Sequence, residues 1–380
     1  LRRCWAADVL GLSHGRAWAR IPRLATVHGV VMAQVRQSCA LSIASTAGFD
    51  WRELALMRRS AIGFRCVLSL ALLSGLGGCG RPASLTIPIS DWPGDEYFYL
   101  AQQKGLARSE GLDLKTLEFP DPQGIVHVYL RGEMSVAPLT TVEAVDICAR
   151  APERCPVLLL LLDESRGADQ VMARPGIGSI EALRGRRVAV TPSTLGPYVL
   201  SRALEHHGLS INDVQLRTVT LDAMPSALAE GSVDAAAIFQ PYSLKAARQA
   251  RAKVLFDSRR IPGEIFDVLA VEPAFYRQNR DLLVRLLRAW EAAHRLRQTS
   301  PAEAVPLMAR REGLTAEEFS RAEQGLVYLP LEEQHAMLLP GGLLQRNLKA
   351  VQRVQAQLGL LTPGSPLPSV SDAAVTAALR

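Results

Sequence analysis

From Leu85 onward, short apolar stretches alternate with amphipathic ones. That alternation restricts the chain to a parallel or mixed sheet with helices on its faces. The first half predicts strands at Leu85 to Ile89, Leu112 to Phe119, near Val136, and Val157 to Leu162. Helices fall between them at about Glu96 to Ala107, Gly124 to Arg131 and Val142 to Arg150. Five consecutive leucines, Leu158 to Leu162, fit a strand buried on both faces. The same order then recurs, with a short helix at Ser179 to Leu183, a strand at Val188 to Val190 and the polar loop Thr191 to Gly196. It continues with a helix at Tyr198 to His207, a strand at Val214 to Val219, a helix capped by Asp222, and a strand at Val233 to Ile238. Two lobes of similar plan follow. Beyond Val271 the pattern is mostly helical: Leu282, Leu283, Leu286, Leu287, Trp290 and Ala293 form one apolar stripe, and Ser300 to Glu303 and Thr315 to Glu318 both read as capping boxes.

An export signal precedes this body. Arg58 and Arg59 follow Met57, an apolar run extends from Val67 to Leu76, and Leu76-Gly77-Gly78-Cys79 closes the segment. The run is too short for a permanent membrane anchor and has the layout of a secretory signal peptide at 57–78. Its end resembles the lipobox of bacterial lipoproteins, which implies acylation of Cys79 and a lipidated linker over 79–84. A core helix stopped by a glycine turn is the competing account. Residues 1–56 then precede the translation start and are expected to be unfolded or absent in the cell. Their arginines are scattered, without the lysine clusters or interleaved aromatics of a nucleic-acid arm.

Ten of the 43 Lys and Arg, but only three of the 37 Asp and Glu, precede Cys79. The remaining 302 residues therefore carry 33 basic against 34 acidic groups, and nothing in that balance favours nucleic acid. Of six cysteines only Cys148 and Cys155 lie beyond Cys79, and in an oxidising compartment they are disulfide candidates, two buried free thiols being the alternative. Their spacing matches no zinc or redox motif, so no metal and no cofactor is assigned.

The segments Ser90-Asp91-Trp92-Pro93-Gly94-Asp95-Glu96-Tyr97, Ile180 to Val190 and Leu228 to Ala236 resemble, in that order, substrate-binding proteins of ABC importers in the nitrate, sulfonate, taurine and thiamine-precursor branch. The resemblance implies an α/β, two-lobed periplasmic-binding-protein (type II) fold with an interlobe cleft. Lobe 1 would comprise 85–167 and 264–380, and lobe 2 would comprise 168–263. It also implies a monomer that carries a small-molecule ligand to permease and ATPase subunits, on the periplasmic face of the envelope or, in a single-membrane cell, the outer face of the membrane. Loops at the carboxyl ends of parallel strands are where such a ligand sits. The expected ligand-binding residues are Asp91, Trp92, Gly94 and Tyr97 after the first strand, then Thr140 and Thr141. Ser193, Thr194, Gly196, Gln240 and Tyr242 are their counterparts in the second lobe, with Asp267 near the cleft. Capping explains Ser193, Thr194, Thr140 and Thr141 equally well, core packing explains Trp92, and a solvent-rim position explains Tyr242.

Asp91, Asp95, Glu96 and Asp267 near a cleft oppose a simple anion and favour an amine-bearing or zwitterionic ligand. Catalysis on the same scaffold, as in thiamine-pyrimidine synthases, lacks a nucleophile elbow, a His-Glu-x-x-His helix or a phosphate loop. A sensor module reporting to a separate signalling protein is the remaining alternative.

Overall fold

The computed structural model describes residues 83–380. The first 56 residues, the leader and Cys79 lie outside them. Strand β1 (Ala83–Ile89) pairs in parallel with β2 (Leu112–Glu118), and β3 (Val136–Thr140) lies beside β1. The leucine run sits inside β4 (Val157–Ser165), where every residue is buried.

The chain then crosses through 166–169 into a second sheet, made of β5 (Gln170–Ala173), β6 (Arg187–Val190), β7 (Gln215–Thr218), β8 (Ala235–Ile238) and β9 (Lys253–Asp257). Its order is β7-β6-β8-β5-β9. Residues 258–265 lead back to β10 (Phe266–Val271), which inserts antiparallel between β3 and β4. β11 (Leu326–Val327) and β12 (Ser369–Val370) complete the first sheet on β4. Each sheet is covered by its own helices, so the molecule has the two-lobed periplasmic-binding-protein architecture. The helix Arg280–Thr299 turns Leu283, Leu286, Leu287, Trp290 and Ala293 inward as one stripe, and Cys148 is disulfide-bonded to Cys155. Among the described residues no helix is long and apolar enough to cross a membrane.

Several local expectations change. The first helix ends at Gln103, because Gly105 takes φ +69° and the chain restarts as the short helix Leu106–Ser109. Strands β5 and β9 escape the hydrophobic pattern. β5 is four residues long, and β9 is an edge strand that begins exposed at Lys253. Thr315 and Glu318 do form a capping box, whereas Ser300 does not: its amide donates to the Leu296 carbonyl and so ends the preceding helix. Asp222 caps nothing, since the Thr220 carbonyl takes the Ala223 and Met224 amides and the helix Met224–Glu230 begins past it.

Candidate functional site

Six loops at strand ends converge between the lobes. The first lobe supplies 90–95 after β1, 121–123 after β2 and Thr140 at the end of β3. The second supplies 191–195 after β6, 220–221 after β7 and Phe239 after β8. They enclose two adjoining cavities that share Pro122, Glu143, Leu195 and Phe239.

Trp92 forms the wall at which the lobes meet. Its Nε1 donates to Asp163 Oδ2 at 3.1 Å, and its ring stands edge-on to Phe239, 5.3 Å between centroids. Gly94 makes this packing possible, because a Cβ there would lie 2.0 Å from Asp163 Oδ2 and 2.9 Å from Trp92 Nε1. At the margin of the cleft the Tyr242 hydroxyl, from the second lobe, reaches Asp91 Oδ2 at 3.3 Å and the Pro120 carbonyl at 3.2 Å in the first.

One cavity is lined by the carboxyl groups of Asp95, Glu143, Asp169 and Asp267. Asp163 stands behind them, opposite Asp267 in the β4–β10 ladder. Burial pushes the Asp95 and Asp169 carboxyls up to about 6 and those of Glu143 and Asp163 up to about 7. Burial and then the neighbouring Asp163 raise Asp267 well above the usual range, so Asp267 keeps its proton. The polar side chains of the adjoining cavity include the hydroxyls of Thr191, Ser193 and Thr220 with Asp121 and Gln123. Neither cavity is lined by Lys, Arg or His, and among the described residues no group of three or more His, Cys, Asp or Glu is arranged to hold a metal ion.

Of the residues expected at the site, Trp92, Thr140, Ser193 and Asp267 line these cavities. Thr140 spends its hydroxyl as a helix cap, donating to Glu143 Oε2 and accepting the Glu143 amide, each at 3.0 Å. Ser193 exchanges a hydrogen bond with Thr191 at 2.8 Å. Gly196 lines a smaller cavity with Asp169, Thr191, Leu195 and Phe239, and a Cβ there would press on Thr191 Oγ1 at 2.8 Å. Asp91 and Tyr242 join the lobes, with Tyr242 buried and not at a solvent rim.

Others stand elsewhere. Thr141 and Thr194 are absent from the linings, their hydroxyls buried without partners. Tyr97 turns toward the helix Arg280–Thr299, packing against Trp290 and Tyr328 with its hydroxyl 3.4 Å from Glu323 Oε1. Gln240 lines a separate surface hollow with Arg166, Arg259 and Arg321. Glu96 is locked to Arg311 inside the first lobe, and Arg311 also donates to the Ser90 carbonyl.

Residues that sequence reading passed over include Glu143, Asp163, Asp169, Leu195 and Phe239. Only Glu143 carried a local signal, the capping-box spacing from Thr140.

The model of the family described as NMT1/THI5 like matches residues 93–304, more than half of the chain. The taurine-binding periplasmic protein of Escherichia coli is 22% identical over 242 residues, which is 61% of this chain and 74% of that protein. Among solved structures, the alkanesulfonate-binding protein of Xanthomonas axonopodis pv. citri bound to MOPS superposes with a TM-score of 0.63. It is 17% identical, with 78% of this chain and 99% of that one covered. A desulfurization enzyme, DSZB, shares the same architecture at a TM-score of 0.58 and 19% identity, covering 78% and 99% of the two chains. With more than half of its length matched to that model and its two lobes closing on a shared cleft, the chain belongs to the NMT1/THI5-like family.

Proposed function

We propose that this chain is the solute-binding lipoprotein of an ABC importer, exported, acylated at Cys79 and monomeric. It captures a small polar organic solute of sulfonate, taurine, nitrate or thiamine-pyrimidine type and delivers it to a permease with its ATPase subunits. The observation that carries the reading is the contact of Trp92, from one lobe, with Phe239, from the other, beside enclosed cavities at the strand tips. A cleft that buries its ligand between two hinged lobes is the arrangement such receptors use. Membership of the family and likeness to the taurine-binding protein support it. Trp92, Thr140, Ser193 and Asp267 are the ligand contacts, with Asp91 and Tyr242 holding the lobes together.

Calorimetry of the protein against sulfonates, nitrate, amines and pyrimidines tests capture, and a folded protein that binds none of them sinks the reading. Incorporation of labelled fatty acid, lost in Cys79→Ala, tests the anchor. Solute uptake that depends on the protein tests delivery.

A second reading, an exported enzyme on the same scaffold, draws support from the buried Asp163–Asp267 pair, opposite each other in the β4–β10 ladder and both raised by burial, and from the likeness of the fold to a desulfurization enzyme. Turnover of a bound solute followed by NMR separates it from capture alone.

A further inference from the structure

Of the two cavities between the lobes, one is lined by carboxyl groups and leaves none of its hydroxyl or indole donors free, while the adjoining one carries the hydroxyls of Thr191, Ser193 and Thr220. Asp95, Glu143, Asp169 and Asp267 line the first. Each neutral side-chain donor on its wall is already engaged with a carboxylate. Ser90 gives its hydroxyl to Asp95 Oδ2 at 3.0 Å, Thr140 gives its hydroxyl to Glu143 Oε2 at 3.0 Å, and Trp92 gives its N–H to Asp163 Oδ2 at 3.1 Å. The nearby guanidinium, Arg311, is committed to Glu96 and the Ser90 carbonyl and is not part of the lining.

Asp169 supplies an independent observation. It is 3% exposed, lines the cavity, and its Oδ2 has no hydrogen-bond partner. A buried carboxylate oxygen left unpartnered is costly, and it is satisfied by a donor that arrives from outside the protein. The apolar part of the wall comes from Trp92, Phe239, Leu195 and Ile125, and aromatic walls favour a cation over an anion. The cavity volume is about 30 Å³ here and about 70 Å³ in the adjoining, hydroxyl-lined cavity, so the occupant is compact.

We propose that the solute is a small organic cation, a protonated amine or amidinium whose N–H groups bond Asp169 and Asp267, with its uncharged part toward Thr191, Ser193 and Thr220. This rests on the solute-capture reading and narrows it: in the carboxyl-lined cavity a bare sulfonate or nitrate would meet four carboxyl groups and no free hydroxyl or indole donor, so the expected ligand differs from the sulfonates for which several relatives are named.

The test is calorimetry of the full chain with two matched pairs, ethanolamine against isethionate and benzylamine against benzenesulfonate. The proposal expects each amine to bind at least about tenfold more tightly than its sulfonate, because charge-assisted bonds form only with the amine. Asp169→Asn, nearly isosteric, is expected to weaken amine binding about tenfold while thermal melting confirms that it folds. Preference for the sulfonates overturns the cation assignment and leaves solute capture standing. Silence toward both classes by a folded protein overturns the two together. Unchanged amine affinity in Asp169→Asn also overturns the assignment.

Discussion

Asp163 and Asp267, 104 positions apart in the chain, stand opposite each other in the antiparallel β4–β10 ladder, both inside the protein. Neither has an arginine or lysine partner; Asp163 accepts from Trp92, and burial raises both carboxyls. Asp95, Glu143 and Asp169 lie around them, and burial raises all five carboxyls.

A pH dependence follows from that cluster. A carboxyl whose pKa is raised in the folded state binds more protons there than in the unfolded chain, so stability falls as pH rises from the unfolded value near 4 through the folded values near 6 and 7. His294 works in the opposite direction, because burial lowers its imidazole, but it is one group against five. The ligand-free protein is expected to melt at a higher temperature at pH 5 than at pH 7.5. The difference should shrink in Asp267→Asn. Melting temperatures that rise over this interval would refute the raised-carboxyl account.

Trp92 joins the lobes in two ways that substitution separates. Trp92→Phe keeps an aromatic edge against Phe239 but loses the bond to Asp163, at a cost of about 1 kcal/mol. Trp92→Ala also empties the buried aromatic volume, at about 3–5 kcal/mol. Urea denaturation reads both. Equal losses for the two variants would mean that packing against Phe239 contributes little.

Gly94→Ala is the sharpest steric test. Its Cβ would fall 2.0 Å from Asp163 Oδ2, so the carboxylate must move and give up the Trp92 bond. A loss of about 1–3 kcal/mol is expected, with reduced ligand affinity. Unchanged Trp92 fluorescence and unchanged stability would show that the loop absorbs the extra methyl.

Tyr242→Phe removes the hydroxyl that spans from the second lobe to Asp91 and Pro120 while keeping the ring packed. One neutral interlobe hydrogen bond is worth about 1 kcal/mol, enough to shift a closed–open equilibrium by about fivefold. Small-angle scattering of the ligand-free variant should give a larger radius of gyration than the parent. Identical scattering, together with identical affinity, would remove the latch role.

How much of this was legible before folding differs by residue. The apolar periods predict β1, β2, β4, β6 and β8 because each carries a buried face, while β9 is hidden by its exposed first residues. Trp92 and Ser193 stand in loops that follow strands, so their place at strand tips could be read from order alone. Tyr97 looked equivalent to Trp92 from its neighbours. The turn of one helix sends it to the opposite side, against Trp290.

The amino-acid order by itself determined the alternation of strands and helices, the repeated plan and the loops that face the cleft, because hydrophobic period and turn residues act over short range. Only the tertiary structure decided the chemistry of the cleft. Asp95, Glu143, Asp163, Asp169 and Asp267 come from separate loops, a helix and two strands, and nothing local marks them as neighbours. Their raised protonation and the unpartnered oxygen of Asp169 arise from shared burial, a property of the assembled lobes that no single segment possesses.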